Sequence, residues 1–117
     1  MWLWLLFVAG SAAQCPDVGT GVYKAEFHDG HWMSVLKESG RNFLDVVLVS
    51  KEESRRYSVE YIVSSDCLLK PLNRAMWRKI LFDVWFISER KLALGMKIEY
   101  DRNRLRIGDQ LELIRVR

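Results

Sequence analysis

Apolar and polar residues alternate most regularly in the C-terminal part of the chain, from Lys91 to Arg117. Up to Tyr100, apolar side chains occupy every second position, which is the period of a half-buried strand. Two more alternating stretches follow, separated by a turn at residues 101–104 and by Gly108-Asp109. This pattern predicts a meander of three antiparallel strands.

The same period occurs in the first half of the chain. Residues 22–36 alternate on both sides of Asp29-Gly30, a pair that is typical of a hairpin turn. Residues 43–49 are almost continuously apolar, as in a strand that is central or covered on both faces. Residues 57–63 alternate again. We therefore expect a hairpin and two further strands before residue 64.

The segment from Leu72 to Ser88 has two competing patterns. Asn73 can cap a helix, although Arg74 and Arg78 would then lie at the positive end of the helix dipole. Residues 80–87 place Ile, Phe, Val and Phe at alternate positions, which favours a strand. The sequence predicts a short helix at 73–79 that runs into a strand at 80–87.

These elements predict an all-β fold of seven to nine short strands joined by short polar turns, with one short helix near 73–79. Such an order is typical of a small antiparallel meander barrel or of a two-sheet sandwich. The alternation of side chains does not distinguish the two, because both bury one face of each strand.

The N-terminal residues 1–13 carry no charged side chain, and they end in small residues. This run is too short for a membrane span of ~20 residues, so it predicts a signal peptide cut after Ala13. No lysine or arginine precedes the apolar run, which leaves an uncleaved hydrophobic N-terminus as the alternative. With cleavage, residues 14–117 form one secreted, extracellular domain without a transmembrane anchor.

The chain contains two cysteines, Cys15 and Cys67. In an exported protein, such a pair predicts one disulfide bond. The bond would close a loop of 53 residues, for which the loss of chain entropy in the unfolded state gives a stabilisation of about 4 kcal/mol.

Positive charge is concentrated in the second half of the chain. Residues 14–66 contain six Lys or Arg and nine Asp or Glu, whereas residues 67–117 contain twelve and six. An ordinary solvated surface is one interpretation. The other is a basic face that binds an extracellular protein or an anionic polymer, with no nucleic acid expected. The candidate binding residues are Arg74, Arg78, Lys79, Arg90 and Lys91.

The sequence contains no pattern that indicates an enzyme, a cofactor or a metal site. G-x-S-x-G, H-E-x-x-H and a phosphate-binding glycine loop are all absent. His28 and His31 flank the predicted hairpin turn, but two histidines without a third ligand are a weak indication of metal. We therefore expect a binding protein rather than an enzyme.

Gly30-His31-Trp32 resembles the G-x-W motif at the first strand of lipocalins. The resemblance implies a small barrel that carries an apolar small molecule. In that alternative function the cavity would be lined by Trp32, Phe43, Tyr61 and Phe82. The competing interpretation is that Trp32 is a core residue after a glycine turn.

Overall fold

The computed structural model describes residues 15–89, 98–108 and 110–117. The predicted signal peptide, residues 91–97 of the predicted last meander, and Asp109 lie outside these residues. Eight strands and one helix are present in the described part. They are β1 (Gly21–Glu26), β2 (Trp32–Lys37), β3 (Phe43–Val49), β4 (Ser54–Val63), β5 (Leu69–Pro71), α1 (Arg74–Ser88), β6 (Ile98–Tyr100), β7 (Arg104–Ile107) and β8 (Leu111–Arg115).

The eight strands form a closed antiparallel barrel in sequence order. Each strand pairs with the next, and β8 closes the sheet by pairing with β1, where Tyr23 lies opposite Arg115. Closure pairs both edges that an open sheet would leave exposed. The predicted all-β fold is confirmed, and the architecture is a barrel rather than a sandwich.

Alternate side chains of the strands point into the barrel, as the sequence period requires. On β2 the buried residues are Met33, Val35 and Lys37, and the residues between them are only partly buried. The largest fully buried side chains include Trp77, Tyr23, Tyr61, Met33, Leu44 and Leu69. Large side chains from the strands and the helix thus form one continuous core.

Up-and-down connectivity distributes the connections between two ends of the barrel. The β1–β2, β3–β4 and β7–β8 turns and the β5–β6 connection, which contains α1, belong to one end, here called the helix end. The β2–β3, β4–β5 and β6–β7 turns belong to the other. Residues 15–20, which precede β1, also lie there, and we call this the N-terminal end.

The hairpin predicted from Asp29-Gly30 is confirmed. His28–Gly30 forms the tight turn, in which Asp29 and Gly30 adopt φ angles of 59° and 77°. The His31 N–H donates to the His28 carbonyl at 3.0 Å. Two consecutive residues of positive φ suit the twist of a two-residue hairpin, which explains why an Asp-Gly pair occurs here.

The strand predicted at 80–87 is wrong, because the whole of Arg74–Ser88 is helical. Ile80 and Val84 are buried, whereas Phe82 and Phe86, which alternate with them, are exposed. The buried side chains follow a helical period from Trp77 to Ile87. The prediction that short turns join all the strands is also wrong, since the β5–β6 connection contains this helix. The short strand β5 was also not predicted.

Cys15 and Cys67 form a disulfide bond, with their Cα atoms 5.2 Å apart. This confirms the predicted pair. Cys67 lies in the β4–β5 turn and Cys15 precedes β1, so the bond attaches the N-terminal segment to the barrel.

Candidate binding surface on the helix

Both ends of α1 are held by local backbone interactions. The Asn73 side chain accepts a hydrogen bond from the Met76 N–H at 3.0 Å, so Asn73 is the N-cap that the sequence predicted. At the other end, Glu89 adopts a left-handed conformation, and its N–H donates to the Trp85 carbonyl at 3.2 Å. These caps define a helix of 15 residues, which is roughly 22 Å long.

One side of α1 packs into the barrel core. Trp77, Ile80, Val84 and Ile87 are spaced by three or four residues, and all four are buried. This spacing brings side chains onto one stripe of a helix. Because the stripe belongs to the barrel core, the opposite side of the helix faces solvent.

The outward side of α1 combines cations with aromatic rings. Arg74, Arg78 and Lys79 are exposed in its first half, and Phe82, Trp85 and Phe86 follow in its second half with exposures of 66%, 42% and 79%. At 100° per residue these six positions fall within an arc of roughly 140°. We call these six residues the helix face.

Polar contacts at the edge of α1 fix its orientation on the barrel. Asp83 accepts hydrogen bonds from the Tyr57 hydroxyl at 2.6 Å and from Arg55 Nη1 at 3.1 Å. Burial, and then the bond to Asp83, raise the pKa of Tyr57. His31 Nδ1 lies 2.9 Å from the Ile87 carbonyl, which can only accept, so this nitrogen carries the proton. The hairpin turn and β4 thus hold the second half of the helix, where the aromatic rings are.

A cavity of about 230 Å³ lies between this half of α1 and the β3–β4 turn. Its lining residues are Leu48, Ser50, Glu52, Glu53, Arg55, Phe82, Asp83, Phe86 and Ile87. Arg55 forms ion pairs with Glu53 at 2.9 Å and with Asp83 at 3.1 Å. Two of the three acids in the lining, Glu53 and Asp83, are therefore paired. The cavity shares Phe82 and Phe86 with the helix face, and these rings form part of its apolar wall.

The structure brings three of the five predicted basic residues together, namely Arg74, Arg78 and Lys79. Arg90 and Lys91 lie outside the described residues. The sequence interpretation missed the exposure of Phe82 and Phe86, since it placed both on the buried face of a strand. Their exposure could have been predicted from the helical spacing of four apolar residues, Trp77, Ile80, Val84 and Ile87.

The four residues predicted to line an apolar cavity do not lie together. Trp32 and Phe43 occupy outward positions, where Lys24 Nζ lies 4.8 Å from the Trp32 ring centre and the Arg41 guanidinium carbon lies 5.3 Å from that of Phe43. Tyr61 is buried in the barrel, and Phe82 is on the helix face. Trp32 begins β2 rather than the first strand, and its half-buried position differs from that of a core tryptophan.

The histidine pair is separated by its contacts, because His31 is bonded to the helix and His28 is exposed. In the part of the chain that the structure describes, no three His, Cys, Asp or Glu side chains are grouped closely enough to hold a metal ion. His31 thus has a structural contact, with Ile87, that the sequence did not indicate.

The N-terminal end contains a polar cluster formed by Asp17, Lys37 and Tyr61. Lys37 is almost fully buried, and its Nζ lies 3.3 Å from Asp17 Oδ2 and donates to the carbonyls of Glu38 and Arg41. The Tyr61 hydroxyl donates to Asp17 Oδ1 at 2.7 Å. The charged and hydroxyl groups of these three side chains are therefore all bonded within the protein.

These contacts shift the ionisation of the cluster. Burial alone would raise the pKa of Asp17, but the hydrogen bonds from Tyr61 and the Val18 N–H and the charge of Lys37 lower it below the ordinary 3.8. Burial, and then the bond to Asp17, raise the pKa of Tyr61 well above its ordinary 10.0. At neutral pH Asp17 is therefore a carboxylate and Tyr61 a neutral phenol, which suits a structural contact.

The helices among the described residues include none with the length and apolar character needed to cross a membrane. Comparisons of the chain with protein-family models, with curated proteins and with solved structures found no match.

Proposed function

We propose that this chain is a secreted, non-enzymatic interaction domain and that its helix face binds an anionic partner. The observation that carries the proposal is the exposure of three cations and three aromatic rings on one side of a helix whose other side is fixed in the core. Aromatic and arginine side chains are enriched in binding surfaces relative to the rest of a protein surface. The disulfide bond supports a site of action in an oxidising compartment.

The charge of the helix face is available to a partner. Among the described residues, Arg74, Arg78 and Lys79 form no ion pair, whereas Arg55 and Arg104 each pair with two acids. The first turn of α1 contains no acidic residue, so the positive end of the helix dipole adds to the three side chains. A positive surface of this kind attracts anions and accelerates their association.

The proposal can be tested by retention on immobilised heparin. The parent should elute at higher salt than a variant with Arg74→Glu, Arg78→Glu and Lys79→Glu. A control with Arg56→Glu, Arg102→Glu and Arg106→Glu has the same net charge, and its substituted positions are also exposed but lie on the barrel strands and turns rather than on the helix. Because exposed charges are screened over ~8 Å at physiological ionic strength, retention should fall steeply with added salt.

A control that elutes with the helix variant would show that net charge alone governs retention, and it would overturn the helix face as the binding surface. Retention that ignores salt would indicate an apolar contact. In that case the alternative function, a small barrel that carries an apolar small molecule, would explain the result better.

A further inference from the structure

Phe82 and Phe86 are the two most exposed large apolar side chains in the described part of the chain, at 66% and 79%. They are one helical turn apart, and the Trp85 ring lies 6.3 Å from that of Phe82. Clustered exposed rings of this kind mark a contact surface, since water solvates them poorly. A partner that matches only the charge of the helix face would leave them in water.

We propose that the partner is the surface of a bilayer containing anionic phospholipids, an inference that rests on the proposed function. Helices that lie in a bilayer interface carry Lys and Arg for the phosphates and Trp, Phe or Leu for the boundary with the acyl chains. The helix face has both kinds of residue. Its cations supply electrostatic attraction to an anionic surface.

The composition of the surface favours a bilayer over an acidic protein or polymer. The helix face lies on the solvent side of a helix that packs on the barrel, and its rings are exposed. A bilayer interface is soft and offers phosphate and hydrocarbon within a few ångströms, so that it accommodates both halves of the helix at once. A sulfated polymer offers no apolar region for Phe82 and Phe86.

Nearby acids limit the depth of insertion. Glu53 and Asp83 are paired with Arg55, but Glu52 and Glu89 are exposed close to the aromatic half of α1. These two carboxylates are repelled by anionic headgroups, and we therefore expect the rings to enter only the headgroup boundary. Binding should then be reversible and sensitive to salt.

The experiment is co-sedimentation of protein expressed from the full 117-residue sequence with two kinds of vesicle. One consists of phosphatidylcholine alone, and the other of phosphatidylcholine mixed with phosphatidylserine. The parent should bind the mixed vesicles and should not bind the vesicles of phosphatidylcholine alone, which carry no net charge. Reversing Arg74, Arg78 and Lys79 to Glu should weaken binding by at least about a hundredfold, because three attractive charges are lost and three repelled ones are added. The control with Arg56, Arg102 and Arg106 reversed should retain most of it.

A second variant, Phe82→Ser with Phe86→Ser, tests the rings without changing charge. It should bind mixed vesicles at least about tenfold more weakly than the parent, because two exposed apolar side chains no longer enter the interface. Its retention on heparin should equal that of the parent. All variants share the same N-terminus, so any contribution of residues 1–13 cancels in the comparison.

Full vesicle binding by the double serine variant would overturn the proposal, since the rings would then have no part in the contact. Helix-dependent retention on heparin without vesicle binding by the parent would also overturn it, and would identify an acidic polymer or protein as the partner while the proposed function stands. A parent protein that binds neither heparin nor vesicles would contradict the proposed function itself.

Discussion

The two ends of the barrel use similar side chains in opposite ways. At the N-terminal end, Asp17 bonds to both Lys37 and Tyr61, and Lys37 also donates to two backbone carbonyls. At the helix end, the cations of the helix face form no ion pair among the described residues, and the rings of Phe82 and Phe86 lie in solvent.

This difference distinguishes a stabilising region from a binding region. Burying a charge is costly unless it is paired, so Lys37 contributes to the fold only through its partners. Exposed charges contribute little to stability, and rings that remain in solvent bury little of the apolar area that would stabilise the fold. We therefore expect substitutions at the N-terminal end to change the free energy of unfolding, and substitutions on the helix face to change binding.

The largest effect on stability should come from removing the disulfide with Cys15→Ser and Cys67→Ser. The closed loop of 53 residues predicts a loss of up to about 4 kcal/mol in the free energy of unfolding. Urea denaturation followed by circular dichroism measures this change. Under conditions where the variant remains folded, its heparin retention should match the parent. A parallel loss of retention would show that the two ends are coupled.

A smaller loss is expected from Asp17→Asn, which leaves the buried Lys37 ammonium without its carboxylate. Removing one partner of a fully buried pair costs about 3–5 kcal/mol. Because the Asp17 side chain is half exposed, we expect about 2 kcal/mol at neutral pH after allowing for solvent screening.

The pH dependence of that loss has a definite sign. The folded pKa of Asp17 is lowered below 3.8, so its contribution is complete above the unfolded pKa and disappears as pH falls through the folded pKa. The difference between parent and variant should therefore be constant near neutral pH and shrink below about pH 4. A difference that is the same at acidic and neutral pH would show that the charge of Asp17 is not the cause.

The smallest effect is expected from Asn73→Ala at the helix end. This change removes the side-chain acceptor for the Met76 N–H and should lower the free energy of unfolding by about 1 kcal/mol. Thermal unfolding measures the change, with Asn73→Asp as the control that keeps an acceptor. An alanine variant as stable as the parent would mean that packing of Trp77 and Ile80 alone holds the first turn.

Several features of the fold followed from local patterns. Period-two alternation placed β1, β2 and most of β4 close to their observed bounds, since each of these strands buries one face, and the continuous apolar run at 43–49 placed β3. The Asp29-Gly30 turn followed from the positive φ angles that such a hairpin needs. The disulfide followed from the presence of only two cysteines behind an apolar N-terminus.

The candidate site was predicted only in part. Arg74, Arg78 and Lys79 were identified as a group because they are close in sequence. Their aromatic neighbours were not, because residues 80–87 satisfy a strand period and a helix period equally well over so short a run. Neighbouring elements decide between the two: β2, β3 and β4 contact α1, and Tyr57 and His31 bond to its second half.

By itself, then, the sequence determined which residues alternate, where tight turns occur and which cysteines pair, because these depend on neighbouring positions or on having only one choice. Tertiary structure alone decided that the sheet closes between β1 and β8, that Lys37 is buried against Asp17, and that Phe82 and Phe86 face solvent. Each of these depends on contacts between residues far apart in the chain. Which side chains are buried is therefore decided only when the whole barrel is assembled.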